Sequence, residues 1–169
     1  MRITETKING IQNPMGFTYD FLLCSWKVED TESKKQVHAK IEVSEDAEFS
    51  QVLWENLKQS GEKINLELKP RTTYYYRVTV TGDQGDTAVS DLAYFETGKM
   101  QEAWEADWIA PQKMDAFHPV IGTKFVAAKP VKRARLYASG VGVFEAYLNG
   151  KKLGEEFLAP YVNNYEANI

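Results

Sequence analysis

Leu68-Lys69-Pro70-Arg71-Thr72-Thr73-Tyr74-Tyr75-Tyr76-Arg77-Val78-Thr79-Val80 is the stretch that decides how this chain folds. Pro70 fixes its own φ and carries no backbone N–H, so it belongs in a turn that leads into a strand. Beyond it the residues alternate. Tyr74, Tyr76, Val78 and Val80 fall on one face, and Tyr75, Arg77, Thr79 and Thr81 on the other, because successive side chains of a strand point to opposite sides. A strand with one apolar face and one mixed face is half buried. Gly82-Asp83-Gln84-Gly85-Asp86 then reads as a turn, and residues 92–97 as a closing strand.

Working upstream, the same period of two recurs. Leu22, Cys24, Trp26 and Val28 share a face, as do Val37, Ala39, Ile41 and Val43, and then Ile64, Leu66 and Leu68. Phe49, Val52, Leu53 and Leu57 have helical spacing, but Val52-Leu53-Trp54 suits a short edge strand after an acidic loop, and that reading is preferred. Short strands with turn residues between them, over roughly 100 residues, describe an all-β sandwich. Trp26, Tyr74 and Tyr76 are expected in its core. Gly98 ends this first unit, 1–98, and the polar stretch 99–106 reads as a connector. A second unit, 107–169, offers strands at 123–127, 132–138 and 144–148. Asn149-Gly150 marks a two-residue hairpin turn, since both residues tolerate positive φ. So few strands leave a sandwich incomplete, with an exposed edge able to pair with a second copy. The chain is therefore expected to be part of something longer.

Composition narrows the function classes. The chain has 169 residues, is 43% hydrophobic and 26% charged, and carries a net charge of −4. Those proportions belong to an ordinary globular protein. Lys and Arg are scattered apart from a short run at 129–135 that alternates like a strand, so nucleic-acid binding is not expected. No apolar run has the length of a membrane span, and Met1-Arg2-Ile3-Thr4-Glu5-Thr6-Lys7 lacks the apolar core of a secretory signal. A cytoplasmic location is the expectation, or a secreted one if a signal has been removed. Cys24 is the single cysteine, which excludes an internal disulfide and a cysteine-rich zinc site; a small buried hydrophobe is its expected role.

Two resemblances follow from these residues. Leu68-Lys69-Pro70-Arg71-Thr72-Thr73-Tyr74 resembles the tyrosine corner of fibronectin type III domains, in which a Tyr hydroxyl ties back to the preceding loop. More broadly, Cys24-Ser25-Trp26, Val52-Leu53-Trp54-Glu55, Tyr94-Phe95-Glu96-Thr97-Gly98, Ala106-Asp107-Trp108-Ile109, Pro130-Val131-Lys132-Arg133-Ala134-Arg135-Leu136-Tyr137, Tyr147-Leu148-Asn149-Gly150-Lys151-Lys152-Leu153-Gly154 and Leu158-Ala159-Pro160, in this order, resemble the N-terminal region of bacterial α-L-rhamnosidases of the family 78 type. That resemblance implies an immunoglobulin-like or fibronectin-type sandwich followed by the start of a jelly-roll-like one. It also implies a catalytic (α/α)6 barrel several hundred residues further on, which removes terminal α-L-rhamnosyl groups with inversion. Some members bind L-rhamnose with a calcium ion in the jelly-roll-like domain. The chain departs from the family's usual Gly-Asp and Pro-Gly-Trp-Thr-Asp-Tyr at Gly154-Glu155-Glu156 and Pro160-Tyr161-Val162-Asn163-Asn164-Tyr165, so the resemblance alone does not carry a sugar-contacting role onto this loop.

The residues themselves hold little chemistry. Inverting hydrolysis needs two carboxyls roughly 6.5–9.5 Å apart across a sugar-sized cleft. The acids here form local sets: Glu45, Asp46 and Glu48; Asp83 and Asp86; Glu155 and Glu156. No catalytic residue is assigned. His38 and His118 lack companions at metal-ligand spacing, and no triad or phosphate-binding loop is present. No cofactor is expected, although Glu155, Glu156, Asn163 and Asn164 are candidate calcium ligands. Sugar contact needs aromatic faces beside amides or carboxylates. Tyr161, Asn163 and Asn164 are the candidates; Trp104, Trp108 and Tyr165 are weighed beside them, with Trp108 expected to pack at the junction or in a core. The chain is thus read as a non-catalytic N-terminal portion of such an enzyme, supporting the distant barrel and holding rhamnosylated glycan near it. The alternative is a stand-alone adhesion or interaction protein of two sandwich modules.

Overall fold

In the computed structural model the described residues are 1–58, 62–112, 118–157 and 159, and they fall into two units, Met1–Trp108 and Ile109–Ile169. The first contains nine strands: β1 Arg2–Ile8, β2 Met15–Phe17, β3 Leu22–Glu29, β4 Gln36–Ser44, β5 Val52–Lys58, β6 Glu62–Ile64, β7 Thr73–Gly82, β8 Thr87–Val89 and β9 Ala93–Thr97. One sheet runs β1-β3-β6. The other runs β2-β9-β7-β4-β5, with β8 also on β7. All these pairs are antiparallel except β2 with β9, which is parallel.

The two sheets close one core between them. Ile3, Ile8, Leu22, Cys24 and Ile64 enter from the smaller sheet, and Ala39, Ile41, Val43, Tyr74, Tyr76, Val78, Val80, Ala93 and Phe95 from the larger. Along β7 buried and half-buried residues alternate without a break, as the sequence period demands. Register carries the pattern across strands: Ile41 faces Val78, Val43 faces Tyr76, and Tyr74 faces Phe95. Tyr74 and Phe95 stack at 5.1 Å between centroids, and Tyr19 meets Phe95 edge-on at 5.7 Å. Cys24 is fully buried in this core, and burial pushes its thiol up to about 12. It behaves as the small hydrophobe expected.

Four elements differ from the sequence reading, among them β8, which it did not include. β1 and β2 were not foreseen; β1 buries only Ile3 and Ile8, and a bulge between Ile3 and Glu5 breaks the alternation that would have revealed it. The strand read across Ile64, Leu66 and Leu68 ends its ladder at Ile64, although Leu66 and Leu68 still pack partly against the core. The Lys69 N–H is instead donated to the Tyr74 hydroxyl at 2.8 Å, which is the tie of the corner. Trp26 is half-buried rather than fully so, because its Nε1 reaches out to Gln36 Oε1 at 2.9 Å.

In the second unit the regular pairing among the described residues is one hairpin, β10 Tyr147–Leu148 with β11 Lys151–Lys152. Asn149 and Gly150, at φ 50° and 78°, make its turn, both being residues that tolerate positive φ. The stretches 123–127 and 132–138 form no ladder. A strand is held by a neighbour's N–H and C=O groups, and no described residue of this unit offers them one. Their apolar side chains stand in the open, with Phe125 at 74% and Val126 at 95% exposure.

Candidate functional site

The proposed sugar contacts Tyr161, Asn163 and Asn164 lie outside the described residues, as does Tyr165. The chain just before them forms a hollow of about 270 Å³, lined among others by Phe144, Glu145, Lys152, Leu153, Glu156 and Ala159. The hairpin builds it. Register places Tyr147 opposite Lys152, so both reach Glu145: the Tyr147 hydroxyl donates to Oε2 at 2.7 Å and Lys152 Nζ to Oε1 at 2.6 Å. Lys152 Nζ also donates to the Glu156 carbonyl at 2.8 Å and lies 4.4 Å from the Phe157 ring centre. The Phe144 N–H donates to the Ala159 carbonyl at 2.9 Å. The Lys152 and Tyr147 hydrogen bonds hold the Glu145 carboxyl below its ordinary range, and the same bond raises the Tyr147 phenol. Carboxylate and ammonium are thus paired with each other and with the backbone. Sequence reasoning gave neither Glu145 nor Lys152 a role in a site; the Asn149-Gly150 turn, which fixes the register, was the signal that could have joined them.

Four members of the acidic sets hold structural bonds. Glu45 pairs with Lys69 at 2.7 Å. Asp46 accepts the Ser50 N–H at 3.0 Å and the Ser44 hydroxyl at 3.0 Å, and these bonds lower its pKa. Asp83 accepts the Lys34 N–H at 3.0 Å. Asp86 accepts the hydroxyls of Ser33 and Thr31, which lower its pKa in turn. A general acid needs the opposite shift, since it must hold a proton near neutral pH. These carboxylates fasten loops.

Of the four residues considered for calcium, Asn163 and Asn164 lie outside the described residues, and among the described ones no three His, Cys, Asp or Glu side chains converge. Glu156 Oε2 accepts the Glu155 N–H at 3.1 Å, turning that carboxylate onto its own backbone. Of the tryptophans weighed for sugar contact, Trp104 is 53% exposed and Lys99 Nζ lies 5.0 Å from its ring centre. Trp108, the last residue of the first unit, is 64% exposed. No helix among the described residues is long and apolar enough to cross a membrane.

Comparison with known proteins agrees with this architecture. Residues 3–101 match the family model described as Rha78A-like, N-terminal immunoglobulin domain, and residues 129–169 match the α-L-rhamnosidase N-terminal domain. An α-L-rhamnosidase of Alteromonas sp. (strain LOR) is 28% identical over 98% of this chain and 21% of its own length. The structure of Streptomyces avermitilis α-L-rhamnosidase complexed with L-rhamnose superposes with a TM-score of 0.55 at 25% identity, over 64% of this chain and 12% of that one. The α-L-rhamnosidase from Dictyoglumus thermophilum gives 0.57 at 26% identity, over 67% and 14%. The chain spans about a fifth of the length of the curated relatives it matches. With well over half its residues inside the immunoglobulin-domain match and a two-sheet sandwich built on them, the chain belongs to the Rha78A-like N-terminal immunoglobulin domain family, and the relatives it matches are α-L-rhamnosidases.

Proposed function

We propose that the chain is the non-catalytic N-terminal portion of an α-L-rhamnosidase-like glycoside hydrolase. Residues 1–98 form its immunoglobulin-like sandwich, 99–106 a connector, and 107–169 the start of a jelly-roll-like sandwich. Its work is support: it carries and orients the catalytic barrel of the parent enzyme. The observation that carries this reading is the state of Glu45, Asp46, Asp83, Asp86 and Glu156, whose carboxylates bind neighbouring side chains and backbone. The apolar side chains standing open in the second unit, among them Phe125, Val126 and Phe157, are the surface against which the rest of the parent packs. Any rhamnosylated glycan held here is held by Tyr161, Asn163 and Asn164.

Incubating the purified chain with an aryl α-L-rhamnoside tests the assignment. No release of the aryl group above the uncatalysed rate is expected. Turnover that survives repeated purification and is lost on unfolding would overturn the non-catalytic reading. Calorimetric titration with L-rhamnose tests the glycan role separately, with heat that saturates expected and its absence counting against it.

A further inference from the structure

The connector does not leave the first sandwich freely. Arg71 holds φ at +52°, a left-handed conformation uncommon for a side chain of its kind and kept only where the surroundings impose it. Its N–H donates to the Gly98 carbonyl at 2.8 Å, and its guanidinium Nε meets Glu102 Oε2 at 2.6 Å. Both partners lie at the exit of the unit. Glu102 is presented by a tight turn in which its N–H donates to the Lys99 carbonyl at 3.0 Å, with Met100 also at positive φ. Lys99 folds over the same turn, donating to the Ala103 carbonyl at 2.9 Å beside the Trp104 ring.

The corner beneath is itself fixed. Tyr74 accepts the Lys69 N–H, while the Thr97 hydroxyl donates to the Lys69 carbonyl at 2.7 Å and accepts the Thr72 N–H at 2.9 Å. The immunoglobulin-domain match also runs past Gly98, to residue 101. We propose that Arg71 and Glu102 form a clasp that docks the connector on the tyrosine corner, so that residues 98–104 move with the first sandwich and the chain leaves it in a set direction. The proposal is independent of the rhamnosidase reading, because it rests on bonds within one unit.

The Lys99–Met100 peptide bond reports the clasp, because trypsin must unfold this turn and take Lys99 into its specificity pocket. Cleavage there is followed by mass spectrometry at low and high salt in the whole chain. Glu102→Gln should speed it roughly two- to five-fold at low salt, the range open to an exposed ion pair. The difference should shrink at high salt, where wild-type protection is screened. Arg71→Gln should speed cleavage about as much as Glu102→Gln does, and the double variant no further than either alone, because both remove one ion pair. Cleavage of Glu102→Gln at the wild-type rate in low salt, or single effects that simply add in the double variant, would overturn the proposal.

Discussion

Two tyrosines two positions apart on β7 separate the roles of ring and hydroxyl. Both rings are buried, Tyr74 at 1% exposure and Tyr76 at 0%. The Tyr74 hydroxyl accepts the Lys69 N–H, whereas the Tyr76 hydroxyl has no partner of good hydrogen-bond geometry among the described residues, and desolvation holds its phenol well above the ordinary value. Tyr74→Phe should therefore lower the unfolding free energy by about 1 kcal/mol, since it orphans a backbone donor, and Tyr76→Phe should change it by less than about 0.5 kcal/mol. Urea denaturation of both variants checks the contrast, and equal losses would contradict it. Glu42 sets an acid limit. The Arg77 hydrogen bond, against the opposing effect of burial and with help from Lys40, lowers its pKa from 4.5. A depressed carboxyl contributes stability above its unfolded value and loses it as pH falls through the folded one. The wild-type advantage over Glu42→Gln should thus be full at pH 6 and shrink steadily below about 4.5. An advantage that grows on acidification would contradict this. Much at this scale was legible: Pro70 and the spacing to Tyr74 announced the tie to the preceding loop. The Arg71–Glu102 pair was not, because nothing in the sequence brings residues 31 apart together.

At the scale of elements, the alternation of β3, β4 and β7 could be read from sequence because each has one face on a single core. β2 could not. It is three exposed residues long and exists because its backbone lies against β9, an arrangement set by tertiary contact. Gly98 permits that approach. A Cβ on it would lie 2.4 Å from the Gly16 carbonyl oxygen, while its own N–H donates to the Phe17 carbonyl at 2.8 Å. Gly98→Ala should push β2 away at a cost of about 1–3 kcal/mol, as overpacking does. Amide exchange at residues 96 and 98 should quicken in that variant while the β4–β7 ladder stays protected. Unchanged exchange at those two amides would show that β2 is not held there. The hairpin at Asn149-Gly150 was legible from two residues alone, because its turn is a local matter. The strands expected at 123–127 and 132–138 depend on neighbours that the described residues do not supply.

For the whole molecule, a family and a module could be read from the order of short motifs, and the site could not. Fold and family rest on residues that fill a core or turn a chain, and these repeat in recognisable spacing. A sugar contact depends on a few individual side chains, and at the proposed positions Tyr161, Asn163 and Asn164 the chain departs from the pattern of the family it resembles. The central claim is that this chain is the front of a larger glycosidase. The most direct test is to read the gene in frame beyond codon 169. The account predicts several hundred further codons, first completing a β-sandwich and then encoding the paired amphipathic helices of a catalytic barrel with its two carboxylates. A stop codon directly after Ile169 would contradict it and leave a small two-module binding protein.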